Sequence, residues 1–385
     1  MQTRFLPVFR VALVALLPAF FFVSFDLQRV LIVMLVAIGL AIAAFPLIAP
    51  KAAPIWRYSI WSVAALLGIG VILSNSAGGA RSNQPGAPQI VTRDSAATGT
   101  VYWANNNTIE ALVPTTGKQQ TALTLSAGSE ISDVARSPDG AAFALVYAPA
   151  TTGQEGGIQL AVLPLKGGEP HVLLSHAAAG GDMSHASWST DGKFIFVTVT
   201  PPKSTVSSIT RVSVDGAAPL KVADDASEPS CPPDGTTLIY VHTPPNAGYA
   251  QLWRSNLDGS DARALSDTHY LDIVSPVVSP DGKTLAFSAP YIPQAQGSTN
   301  PSLPFFGPAV ASAHGGNWEV WTMPMSGGPA RVRTNIAEFR PRIAWAPGGT
   351  ELGINADLGL YVVNLKKNKT SLFDIFTGTG IVWTQ

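Results

Sequence analysis

From residue 100 onward, apolar and polar positions alternate with a period of two in short runs. Examples are Ile209-Thr210-Arg211-Val212-Ser213-Val214 and Trp318-Glu319-Val320-Trp321-Thr322-Met323. Turns rich in Gly and Pro separate the runs. Period two predicts strands with one buried face, and no stretch after residue 75 carries the period of an amphipathic helix. This region is expected to be all-β. Residues 1–75 read differently, being almost continuously apolar. Val30 to Ala49 is an unbroken run without a charge. As a helix it would measure about 30 Å, the thickness of bilayer hydrocarbon. Similar runs flank it, so three transmembrane helices are expected, at about 5–25, 30–49 and 55–73. Residues 76–99, rich in Gly, Ser, Ala and Pro, are expected to form a flexible linker.

Charge sharpens this division. Residues 1–75 hold five basic residues against the single Asp26, and the remainder of the chain is net negative. With the N-terminus inside, Arg4, Arg10, Lys51 and Arg57 fall on the cytoplasmic side and the rest of the chain emerges outside. The expected location is the cell membrane, multi-pass, with the β region extracytoplasmic. The whole-chain charge of -1 argues against a nucleic-acid partner, and the single cysteine excludes an internal disulfide framework.

A turn recurs through the β region. It stands as Ser137-Pro138-Asp139-Gly140, Ser189-Thr190-Asp191-Gly192, Pro232-Pro233-Asp234-Gly235 and Ser279-Pro280-Asp281-Gly282, with Ala346-Pro347-Gly348-Gly349 as a degenerate fifth copy. Pro presets φ, Asp bonds nearby backbone, and Gly accepts the left-handed corner. A second turn follows further on in the first four repeats, at Lys166-Gly167-Gly168, Asp215-Gly216, Asp258-Gly259 and Ser326-Gly327-Gly328. The last glycines of the first turn, Gly140, Gly192, Gly235, Gly282 and Gly349, are spaced to suit one four-stranded blade per repeat. Five repeats are whole. A sixth is split, its inner strand being Gly380-Ile381-Val382-Trp383-Thr384 and its remaining strands lying near Val101-Tyr102-Trp103 and Ile109-Glu110-Ala111-Leu112. The expected architecture is therefore a six-bladed β-propeller over 100–385, closed by pairing of N- and C-terminal strands and preceded by an α-helical transmembrane region.

The turn motif and the strand after it, best seen in Ser279 to Ser288, resemble the WD40-like PD40 repeats of TolB-like propellers. The resemblance covers roughly residues 100–385. It implies a six-bladed propeller that binds partners at a funnel or top surface. The chain also departs from the family in two ways. Apolar runs stand where TolB has a separate α/β domain, and Arg136 and Cys231 occupy the places of Trp188 and Trp345.

Candidate chemistry is sparse. Asp139, Asp191, Asp234 and Asp281 each serve a local turn, so no metal site is expected from them. No G-x-S-x-G elbow, P-loop or H-E-x-x-H motif occurs, and no catalytic residue or cofactor is assigned. The tryptophans that recur at equivalent strands read as packing between sheets. His185, Glu228, Asp272 and Arg340 sit at similar offsets before the inner strands and are candidates to line the central channel. The fourth repeat carries a long insertion from Tyr291 to Gly316, and its Tyr291, Phe305 and Phe306 form a candidate partner loop. The function expected is a membrane-anchored binding or scaffold module, held in the lipid bilayer, for an extracytoplasmic protein, peptide or glycan. The alternatives are a propeller-type hydrolase or lyase, which requires a channel cluster of His, Asp or Glu, and a ligand-sensing membrane protein.

Overall fold

A computed structural model describes residues 95, 97–150, 157–265, 268–290, 318–336, 338–374 and 378–385, with the backbone of Gln89–Ile90. These fall in one compact unit, 86–303 with 317–385. The three expected membrane helices lie outside the described residues, as does the insertion from Tyr291 to Gly316. Among the described residues no helix is long and apolar enough to cross a membrane.

The described chain is a ring of six sheets, each built on antiparallel strands. Blades one to five begin with the inner strands Glu130–Arg136, Asp182–Trp188, Ala226–Ser230, Val274–Val278 and Arg342–Trp345. Each inner strand pairs with a strongly apolar second strand such as Phe194–Thr200 or Thr284–Pro290. The second strands are buried on both faces because neighbouring blades cover them, which is why they read as near-continuous apolar runs. Apolar clusters such as Ile239, Leu252, Leu285, Phe287 and Trp321 fill the seams between adjacent blades.

Blade six is built from both ends of the region. Thr379–Thr384 is its inner strand and pairs antiparallel with Thr100–Asn105, setting Trp383 opposite Val101. Trp383 packs with Trp103 and donates its Nε1–H to the Thr98 carbonyl at 3.2 Å. Gly99, at φ +104°, has the Thr384 carbonyl oxygen 2.0 Å from where a Cβ would sit, so only glycine fits this latch. The segment expected to be a linker also meets the propeller. Gln89–Ile90 pairs in parallel with Ser371 and Leu372 at the outer edge of blade five, and Ser95 donates to buried Glu351 at 2.7 Å.

The repeated turn closes the lower end of blades one to five. In blades one, two and four the serine hydroxyl donates to the aspartate at 2.6, 2.7 and 2.6 Å. The same serine oxygen accepts the N–H of the next strand at 2.9 Å in all three. These bonds hold the Asp139, Asp191 and Asp281 carboxyls below the ordinary range, the serine bond being the largest cause. In blade three, where Pro232 replaces serine, Asp234 accepts two backbone N–H groups instead, at 2.9 and 3.0 Å. Gly140, Gly192, Gly235, Gly282 and Gly349 occupy the left-handed corner at φ 65–72°.

Candidate functional site at the channel mouth

The inner strands run from an upper face down to these turns. Seven residues above the last turn glycine stand Asp133 before Gly140, His185 before Gly192, Glu228 before Gly235, Ser275 before Gly282 and Arg342 before Gly349. The matching position in blade six, three residues before its tryptophan, is Gly380. His185, Glu228, Ser275 and Gly380 have φ between 52 and 62°, at or beside breaks in strand register. A bulge there turns the side chain out of the pleat and toward the axis. Six equivalent positions thus form one ring with six different residues.

The ring is knitted across the channel. Arg342 of blade five donates to Glu228 Oε2 of blade three at 2.6 Å, although blade four stands between them around the ring. Ser275 N–H reaches the same oxygen at 3.1 Å, and Glu228 N–H donates to Thr198 Oγ1 at 3.0 Å. Asp133 Oδ2 accepts Ala186 N–H at 2.8 Å and faces Arg342 electrostatically. His185 Nε2 lies 3.3 Å from Glu228 Oε1 without completing a hydrogen bond, and neither Oε1 nor His185 Nδ1, both buried atoms, makes a hydrogen bond to the protein. Glu228 is only 4% exposed.

Burial and charge set the protonation states. Desolvation, reinforced by Arg342, drives His185 down to about 3, outweighing the pull of Glu228, so the imidazole is neutral at pH 7 despite its carboxylate neighbour. Burial pushes Glu228 upward, but Arg342 and the Ser275 N–H overcome it and the carboxyl settles below its ordinary value. Asp133 is raised by burial against the opposing field of Arg342.

Of the four residues expected to line the channel, His185 and Glu228 occupy the ring itself. Asp272 and Arg340 sit just above it, in the connections entering blades four and five. They pair with each other through Oδ2 and Nη1, and Arg340 Nη2 hangs 4.0 Å from Glu228 Oε1. All four are therefore gathered at one mouth. Asp133, Ser275 and Arg342 escaped the sequence reading, although counting seven residues back from each turn glycine finds all three. Leu271 and Phe339, immediately before Asp272 and Arg340, are 54% and 45% exposed, and Leu358 on the same face is 58% exposed. Tyr291, Phe305 and Phe306 lie outside the described residues. The turn residues Pro138, Asp139, Gly140, Asp191, Gly192, Asp234, Gly235, Pro280, Asp281 and Gly282 close the opposite end of the blades. No cluster of His, Cys, Asp and Glu able to hold a metal occurs among the described residues.

No family model matches the chain, and no curated protein does either. Solved structures do match its fold. TolB from Acinetobacter baumannii aligns with a TM-score of 0.56 at 17% identity over 74% of this chain. This chain covers 66% of that protein's length. A putative TolB from Agrobacterium tumefaciens gives 0.50 at 20% identity, covering 72% of this chain and 89% of the other. A chain of a nidogen–laminin complex gives 0.55 at 14% identity, covering 74% and 98%. The fold is a six-bladed, TolB-like propeller. At these identities the likeness concerns architecture alone.

Proposed function

We propose that this chain is a membrane-anchored binding module that presents the upper mouth of its propeller to an extracytoplasmic protein or peptide. One observation carries the reading. The ring position that is equivalent in every blade holds a different residue in each, and two buried polar atoms there, Glu228 Oε1 and His185 Nδ1, complete no hydrogen bond. Structural positions in a repeat recur, as the lower turns do; this ring varies, as a recognition surface does. The exposed Leu271, Phe339 and Leu358 border the same mouth and supply apolar contact area. The apolar runs within residues 1–75 and their basic flanks support anchoring, with the propeller outside.

The test is a photo-crosslinking amino acid placed in the full-length protein in intact cells, at Leu271 or Phe339 above and at Lys193 or Lys283 below. Adducts specific to the upper positions are expected, and Leu271→Asp with Phe339→Asp abolishes them. Equal adducts from both faces, or none from the upper one, overturns the reading. Protease added to intact cells removes the propeller if it lies outside, whereas protection until lysis places it inside.

A second reading, a propeller hydrolase or lyase, draws on the closeness of His185 and Glu228. General acid–base work favours a group titrating near the working pH. His185 at about 3 and a depressed Glu228 do not supply one, so binding is the stronger reading. Turnover of a polyuronide or lactone by the purified protein, lost in Glu228→Gln, would reverse that order.

A further inference from the structure

We infer that the partner docks through an apolar polypeptide segment flanked by basic residues, laid over Leu271, Phe339 and Leu358 beside the upper mouth. This rests on the binding reading above and names the chemistry of the partner. The three side chains come from three separate connections: the entries to blades four and five, and the upper turn between Glu351–Ala356 and Gly359–Asn364. Polar ties gather them. Arg340 bonds Asp272, which joins the connection bearing Leu271 to the one bearing Phe339. Glu338, one residue before Phe339, accepts the Tyr361 hydroxyl at 2.6 Å and faces the backbone N–H groups of Asp357 and Leu358. Trp318 backs the group, with the Phe339 ring set edgewise to it at 6.1 Å and the Arg340 guanidinium over its face at 5.4 Å. Phe339 is thus exposed yet held in place. An apolar surface fixed before binding loses little freedom when it is covered.

Charge selects the flanks of that segment. The buried ring is set aside, and Arg340 cancels Asp272. The remaining upper ends and connections carry Glu130, Asp182, Asp224, Asp225 and Asp357, all exposed or half-buried. Lys221 pairs with Asp224 at 2.5 Å, and His176 Nδ1 lies 3.4 Å from Asp182. Glu130, Asp225 and Asp357 have no ion pair among the described residues. The lower ends are mixed instead, with Lys118, Lys166, Lys193 and Lys283 among the turn aspartates. Asp357 adjoins Leu358, so an exposed carboxylate without a cation stands at the edge of the apolar group. A basic residue beside an apolar anchor complements this surface, whereas anionic lipid, nucleic acid or an acidic segment meets like charge. Exposed ion pairs contribute little each, so the apolar residues supply affinity and the basic flanks supply discrimination.

The experiment measures the fluorescence anisotropy of three labelled probe peptides on the full-length protein in an uncharged detergent, with protein-free micelles subtracted. These are acetyl-Lys-Leu-Phe-Leu-Lys-amide, its analogue with glutamate for both lysines, and its analogue with serine for the apolar residues. The first is expected to bind roughly tenfold more tightly than either analogue. Phe339→Ser with Leu358→Ser abolishes that binding. Leu358→Ser alone, at the most exposed of the three positions, weakens it severalfold and is the informative variant if the pair does not fold. Asp357→Lys, in an exposed turn, narrows the gap between the lysine and glutamate probes about threefold, and added salt narrows it too. Equal affinity for the lysine probe and either analogue, tighter binding of the glutamate probe, no binding of the lysine probe, or unchanged binding in Leu358→Ser overturns the inference. The binding reading is judged separately by the crosslinks at Leu271 and Phe339. It stands if those appear while the probes show no charge preference.

Discussion

The two ends of each inner strand follow opposite rules. At the lower end, blades one, two and four repeat the same serine, aspartate and glycine. The serine bonds to aspartate measure 2.6, 2.7 and 2.6 Å, and each aspartate accepts a backbone N–H at 2.9, 3.1 and 3.1 Å. Seven residues above the turn glycines, the first five blades carry Asp133, His185, Glu228, Ser275 and Arg342. The lower end is solved locally, because each turn satisfies its own donors and acceptors within six residues. The upper end is solved collectively, since Glu228 reaches Arg342 two blades away and two buried polar atoms there complete no hydrogen bond. A repeat protein can therefore keep its architecture at one end of the strand and vary its chemistry at the other.

The largest expected effect tests whether closure belongs with the locally solved structure. Trp383→Ala removes a buried indole from the seam with Trp103 and its bond to Thr98. A loss of about 4 kcal/mol is expected in denaturant unfolding, far above any single turn. Next comes the ring. Glu228→Gln removes the carboxylate that Arg342 bonds, leaving it only the field of Asp133, and is expected to cost about 3 kcal/mol, while pairing it with Arg342→Met restores most of that. If the two substitutions simply add, the ring is no more collective than the turns.

Acid makes a smaller demand. His185 has a folded pKa of about 3, below its unfolded value of 6.5. Its contribution is complete above pH 6.5 and is lost as pH falls toward 3, because only the unfolded chain takes up the proton. Stability should fall by about 2 kcal/mol between pH 7 and pH 5, and His185→Gln should flatten that slope. The smallest effect is local. Ser189→Ala removes the bond to Asp191 and should cost about 1 kcal/mol, with Ser137→Ala and Ser279→Ala giving Tm shifts of similar size. Unequal shifts there would erase the contrast between the two ends.

The lower end was legible in the sequence because it repeats. Ser-Pro-Asp-Gly announces itself at 137–140 and again at 279–282, and the spacing counts the blades. Closure was legible because Gly380 to Thr384 has the pattern of an inner strand without a following turn. The ring was half legible. His185 and Glu228 stood out as polar residues before apolar strands, but Asp272 and Arg340 were selected in place of Ser275 and Arg342, their bulged or register-matched neighbours. Polarity marks a candidate, whereas the distance from the turn glycine marks the position, and only the second survives when the residue type changes. That Arg342 pairs with Glu228 rather than with Asp272 depends on geometry across the axis, which no local pattern encodes. The docking of Ser95 onto Glu351 was hidden for a similar reason, because a serine in a Gly- and Ala-rich stretch gives no sign of a partner 256 residues away.

The pairing of Val101 with Trp383 also orders events in time. While the protein is being made, the strands at 100–124 leave the ribosome first and wait, with one sheet edge bare, for a strand at the far end of the propeller sequence. Loop closure over so long a separation is slow, and an open β edge invites the wrong neighbour. Nascent chains of this protein should therefore depend on a holding chaperone until residues 379–384 emerge, and the ring becomes self-sufficient only when that last strand slides home.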